Sequence, residues 1–162
     1  MKKLAMLGLL SIALGFQSCK NKDADKTEDT TVMAKTLSKE CFKAVYEADT
    51  LDLQINTLEG GKISGTMDMN IANMPKKSGE LVGEFSGDTL YASYTFTQGA
   101  NKKVTFKNPM AFLKRGTELI LGNGQIATSM GASYFVKGTK IDYDNVKYKF
   151  SPIECMEIKP NE

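Results

Sequence analysis

The sequence predicts an all-β domain, a single small antiparallel up-and-down barrel of eight to ten strands. Three observations carry that expectation. Apolar and polar residues alternate with period two from Leu51 onward, the pattern of half-buried strands. Tight-turn sequences separate the alternating runs. Two cysteines, Cys41 and Cys155, stand at the two ends of the strand-rich region, and in a closed meander the first and last strands become neighbours that a bridge can join. The cysteines therefore select a barrel over a sandwich.

The chain opens with Lys2 and Lys3, followed by thirteen residues without a charge, Leu4 to Phe16. This is the basic and apolar pattern of an export leader. As a helix the apolar run would span about 20 Å against a hydrocarbon core of roughly 30 Å, too short to stay in a membrane as a spanning segment. Gln17, Ser18 and Cys19 follow directly. They resemble a lipobox, in which a small residue precedes a lipidated cysteine, although Phe16 stands where Leu is usual and Gln17 is bulkier than usual. The resemblance implies cleavage after residue 18, acylation of Cys19 and stable attachment to a membrane, the outer membrane above others, in the envelope of a bacterium that exports the chain.

Residues 19–40 are expected to form a lipidated flexible tether. Lys20 to Glu40 holds five lysines, five acidic residues and no aromatic, too little apolar surface to fold alone. Residues 41–158 then make one β-barrel domain. The formal charge of +2 comes from Lys2 and Lys3, so the mature chain is neutral, which argues against nucleic acid as a partner. Lys102, Lys103, Lys107, Lys114 and Arg115 read as solvated strand ends.

Cys41 and Cys155 form an even pair in an exported protein, and a disulfide is the simplest expectation. A free catalytic thiol competes with it, but the chain has no histidine to activate one.

Within the domain, Leu51, Leu53 and Ile55 make one alternating run. Ile63, Gly65, Met67, Met69 and Ile71 make the clearest, and Leu90, Ala92, Tyr94 and Phe96 a third. Weaker runs lie at 79–85, 103–106, 110–114, 118–121 and 145–150. Gly60-Gly61, Gly87-Asp88, Arg115-Gly116 and Asp144-Asn145 supply turns. Pro75, Pro109 and Pro152 are expected at strand ends or bulges. The stretch 122–144 is glycine-rich and poorly patterned, a long loop or lid.

The absence of histidine and tryptophan removes Ser-His and Cys-His catalysis and histidine metal sites, so neither catalytic residues nor a cofactor is expected. Asp142, Asp144 and Asn145 resemble the start of a calcium loop but lack the glycine and glutamate that complete it, and a turn is the stronger expectation. Gly122, Gly124 and Ala127 match only the letters of a dinucleotide fingerprint. Met67, Met69 and Met74 are soft enough for Cu(I), yet Met67 and Met69 share an apolar strand face, where lining a core or cavity is the heavier alternative. Ile63, Met67, Met69, Tyr94 and Phe96 are the candidate wall of an apolar small-molecule cavity.

The run from Gly79 to Gly124, with Gly87-Asp88-Thr89-Leu90, Tyr94, Phe96, Val104, Phe106, Leu119 and Gly122-Asn123-Gly124, resembles a group of small uncharacterised bacterial lipoproteins. Their barrels, lipocalin-like in a loose sense, begin and end near a cysteine. That likeness implies the fold and the bridge but no activity. Ser129, Gly131, Tyr134, Lys137 and Gly138 more faintly resemble the inhibitory loop of membrane-bound lysozyme inhibitors, with Met130 intervening, and make Ser129, Tyr134 and Lys137 candidate loop contacts. The expectation is a lipid-anchored, noncatalytic barrel that binds an apolar small molecule or an envelope protein. An envelope inhibitor of a lysozyme-like hydrolase is the alternative, and a carboxylate-based hydrolase the third.

Overall fold

The structure, a computed structural model, describes residues 34–156. The leader, Cys19, the tether up to residue 33 and residues 157–158 of the expected domain lie outside them. Ten strands form in chain order: β1 (Thr36–Tyr46), β2 (Asp49–Leu58), β3 (Lys62–Asn70), β4 (Lys77–Ser86), β5 (Thr89–Gln98), β6 (Asn101–Arg115), β7 (Glu118–Leu121), β8 (Ile126–Ser129), β9 (Ala132–Phe135) and β10 (Lys149–Ile153). Eight of them close a barrel in the order β1-β10-β7-β6-β5-β4-β3-β2, every pairing antiparallel, while β8 and β9 make a separate hairpin. The first and last strands are neighbours, as the cysteine placement predicts. Cys41 pairs with Ile153 across the β1–β10 seam, and Cys41 and Cys155 are disulfide-bonded with their Cα atoms 5.2 Å apart.

Alternation decides which side chains enter the barrel. Leu51, Leu53 and Ile55 of β2, Ile63, Met67 and Met69 of β3, and Leu90, Tyr94 and Phe96 of β5 meet Leu81, Phe112, Leu119 and Phe150 in one buried cluster. Burying each such side chain contributes roughly 1.5–3 kcal/mol by removing apolar surface from water. Glycine fills inward positions where the sheet coils tightly. A Cβ at Gly79 would run into the Thr95 carbonyl and Phe96, and one at Gly83 into the Tyr91 carbonyl and Ala92. These strands approach more closely there than any larger residue allows.

Several expectations are corrected. β1 begins at Thr36, so Thr36–Glu40 belongs to the barrel and not to the tether. These residues are exposed, which hides them from a composition argument, yet they ladder onto Ile55–Leu58. The runs at 103–106 and 110–114 are one strand, β6, and the run at 145–150 gives way to Lys149–Ile153. Lys102, Lys103 and Lys107 thus sit within a strand. Pro109 and Pro152 also lie inside strands, at positions laddered on one side only. Pro109 pairs with Ser93 of β5 while β7 reaches β6 only from Phe112, and Pro152 pairs with Phe42 of β1 while β7 reaches β10 only at Lys149 and Phe150. The missing proline N–H therefore breaks no second ladder.

The poorly patterned stretch holds the β8–β9 hairpin, which turns at Met130 and Gly131, both at positive φ. It continues into Ile141 and Tyr143, which pack on Gly122 at the end of β7. By alternation with Phe112, Leu119 and Leu121, the buried Ala111 and Ile120 face outward. This segment therefore covers the outer wall of β6 and β7, and it does not cap a barrel end.

Candidate functional site

The five residues expected to wall a cavity all face inward and are all buried. They belong to one buried hydrophobic cluster. Met67 of β3 pairs with Gly79 of β4, which pairs with Phe96 of β5, so the absent side chain at Gly79 lets the flanking side chains close over β4. The Tyr94 hydroxyl donates a hydrogen bond of 2.8 Å to the Met67 carbonyl. Burial, and secondarily the nearby Asp68 carboxylate, pushes the Tyr94 hydroxyl well above the ordinary tyrosine range. Tyr94 stacks on Phe96 at 4.8 Å and Phe96 on Phe106 at 5.5 Å, while the Lys77 ammonium sits 5.5 Å from the Phe96 ring centre. Met67, Met69, Tyr94 and Phe96 border none of the five principal depressions among the described residues. These residues pack in the hydrophobic core, where pairing across Gly79 brings the flanking strands together.

One end of the barrel is sealed. Asp49, at the start of β2, is the one charged residue buried among those described. Its carboxylate accepts hydrogen bonds from the Ala72 backbone N–H at 2.8 Å and the Tyr148 hydroxyl at 2.7 Å. The Ala72 N–H first, then Tyr148, hold the Asp49 carboxyl below the usual carboxylate range. Ile71 and Tyr148 pack on the core from this end, with Tyr46 edge-on to Tyr148 at 6.4 Å.

The opposite end is open. Inward side chains from five strands line a depression of about 200 Å³ there: Phe42 of β1, Ile55 of β2, Phe85 of β4, Leu119 of β7 and Pro152 of β10. Glu40 of β1 and Lys114 of β6 bring one charge of each sign to it. The β6–β7 turn at Gly116, at positive φ, forms part of the rim. Phe42, Ile55 and Leu119 are nearly fully buried, whereas Phe85 is 40% exposed. The mouth thus offers an apolar floor beneath a polar rim, the usual composition of a small-ligand site. Sequence reasoning missed it. The signal available was the phase of Phe85, an aromatic in register with Leu90 on the inner face.

A larger, shallower groove of about 650 Å³ is bordered by Leu58, Ile63, Val82, Tyr91, Pro109 and Phe135. Val82 and Tyr91 are exposed apolar residues on the outward phase of their strands. Ile63 is the one member of the predicted wall that borders it.

The three expected loop contacts fall on or beside the hairpin. Ser129 ends β8, Tyr134 lies in β9 paired with Ala127, and Lys137 follows β9. Ser129 and Tyr134 share one hairpin face by register, and Tyr134 is exposed. The acidic cluster at Asp142 is a turn. The Asp142 carboxylate accepts from the backbone N–H groups of Asp144 and Asn145 and from the Asn145 side chain, and those bonds hold it below the ordinary carboxylate range. No family model matches the chain, and neither a curated protein nor a solved structure does. The functional argument therefore rests on geometry.

Proposed function

We propose that this chain is an exported bacterial lipoprotein, held to a membrane by a lipid on Cys19, whose noncatalytic barrel binds a small apolar ligand in its open mouth. The observation that carries the proposal is the pairing of an apolar floor, Phe42, Ile55 and Leu119, with a half-exposed Phe85 and a rim bearing Glu40 and Lys114. The mouth contains an ammonium, a carboxylate and a threonine hydroxyl but no histidine, consistent with recognition and not with an activated nucleophile. The lipobox-like Gln17-Ser18-Cys19 after an apolar leader supports the anchor. A fluorescent apolar probe titrated into acyl-free protein (Cys19→Ser behind an ordinary leader) should bind saturably. Phe85→Ser should weaken that binding at least tenfold while leaving the disulfide and the far-UV spectrum unchanged. Equal binding by both proteins refutes the mouth as the site.

One observation favours a second proposal, inhibition of a lysozyme-like hydrolase. Ser129 and Tyr134 lie together on an exposed hairpin face, accessible to another protein. A muramidase assay with the purified chain and with Tyr134→Ala tests it, and no inhibition by the unmodified chain refutes it.

A further inference from the structure

Glu40 and Lys114 are the two charged residues of the mouth, and both lie on the inner face of the barrel. Glu40 of β1 stands opposite Ile55, and Lys114 of β6 stands opposite Leu119. Cross-strand partners share a face, and Ile55 and Leu119 belong to the core. Two strands separate β1 from β6 one way round the barrel and four the other, so the carboxylate and the ammonium come from nearly opposite walls. No ion pair among the described residues joins them to each other or to a third group. An unpaired inward charge of each sign thus borders the apolar floor of Phe42, Ile55 and Leu119.

We infer that the mouth takes a free α-amino acid with one large apolar side chain, its ammonium on Glu40, its carboxylate on Lys114 and its side chain on the floor. The inference rests on the mouth being the binding site and names the class of its ligand. Size sets the apolar part. The mouth holds about 200 Å³, less than the roughly 300–1,000 Å³ of sites for drug-sized ligands and somewhat more than the roughly 150 Å³ cavity that encloses benzene. One aromatic ring or one branched aliphatic chain fills that space, whereas a fatty chain or an oligopeptide exceeds it. Charge sets the polar part. A purely apolar occupant leaves both rim charges without a counter-charge, and a ligand of one sign satisfies one of them and is repelled by the other. A ligand of both signs meets both. Glu40 and Lys114 are exposed, so pairing with them avoids most of the desolvation cost that burdens buried ion pairs. An α-carbon presents its ammonium, carboxylate and side chain in three directions, as two opposed walls and a floor require.

Phenylalanine, leucine, phenylalaninamide, N-acetylphenylalanine and glycine are titrated calorimetrically into the acyl-free full-length chain that carries Cys19→Ser. Phenylalanine or leucine should bind saturably and displace the apolar probe, and glycine should not. Phenylalaninamide, which lacks the negative charge, and N-acetylphenylalanine, which lacks the positive one, should each bind at least about tenfold more weakly than phenylalanine, the scale of one hydrogen bond to a charged group. Glu40→Gln should weaken phenylalanine and phenylalaninamide but not N-acetylphenylalanine. Lys114→Gln should weaken phenylalanine and N-acetylphenylalanine but not phenylalaninamide. No binding of either phenylalanine or leucine, equal affinity for the three phenylalanine compounds, or variants that do not discriminate among them overturns the inference. If the apolar probe still binds in a Phe85-dependent way, only the amino-acid inference has failed; if that binding is absent too, the mouth has failed as a site.

Discussion

The Asp49 carboxylate accepts a 2.7 Å hydrogen bond from the hydroxyl of Tyr148, 99 residues away in the chain, and so ties the start of β2 to the segment entering β10. The same carboxylate holds the Ala72 N–H in the β3–β4 connection. Three distant pieces of chain thus meet at one buried charge, a hydrogen-bonding arrangement that offsets the cost of burying it.

This arrangement predicts two pH limits on stability. Asp49 titrates lower in the folded protein, held by the Ala72 N–H and then Tyr148. Its contribution is therefore complete above the unfolded value of about 4 and is lost as pH falls through the lower folded value. Tyr148 is pushed up to about 12, by burial first and then by Asp49. Its contribution is complete below the unfolded value of about 10 and is lost as pH rises from there toward 12. Urea midpoints of the wild type and Tyr148→Phe should differ at pH 7, converge as pH falls below the unfolded carboxylate value of about 4 and through the lower folded one, and converge again near pH 12. A constant difference across that range contradicts the assignment.

The disulfide closes the thinnest part of the barrel, because β10 pairs with β1 at three positions and with β7 at two. The two cysteines are 114 residues apart. Reduction should lower stability by about 4–5 kcal/mol in the chain-entropy model. Alkylation before reduction should label neither Cys41 nor Cys155; labelling of both shows that the bridge does not form.

Core and mouth should respond differently to truncation. Met67→Ala removes a fully buried side chain packed against Tyr94 and its neighbours and should cost about 2–5 kcal/mol, with apolar-probe affinity unchanged. Phe85→Ala removes a side chain already 40% exposed and should cost less than about 1.5 kcal/mol, well under full aromatic truncation, while probe affinity falls. The reverse pattern relocates the site to the β3–β5 wall.

Gly79→Ala should destabilise the barrel by about 1–3 kcal/mol, since the new methyl meets the Thr95 carbonyl and Phe96. Gly87→Ala, at a turn with open space around its Cβ position, should cost less, from its positive φ alone. Equal losses would show that the close β4–β5 approach is not under tension.

Cys19→Ala should block acylation and leave uncleaved or soluble protein. Recovery of the mutant in a detergent phase with an acylated mass would refute the anchor.

Much of the architecture was legible because half-buried strands announce their faces. β3 and β5 follow from alternating residues such as Met67, Met69, Tyr94 and Phe96, and closure follows from Cys41 and Cys155. The first five residues of β1 and the first seven of β6 were obscure because they are exposed on both faces, so β1 gave no period-two signal there and β6 only the weak run at 103–106. The open mouth was illegible for a different reason. Alternation tells which face a side chain occupies but not its level along the barrel axis, which strand stagger sets. Met67 and Tyr94 fall at a packed level, whereas Phe42, Phe85 and Leu119, equally inward by phase, fall at the open end.

The ten residues of β6 before Ala111 have only β5 beside them in the barrel ladder, and they include exposed Val104 and Phe106. A strand edge without a ladder partner that carries exposed apolar side chains is a template on which further chains can add as fibrils. Lys102, Lys103 and Lys107 make such stacking electrostatically costly, and Pro109 removes a donor from the same strand. The residues that interrupt the strand signal in the sequence are thus the ones that keep neighbouring molecules from zipping together when these chains are concentrated.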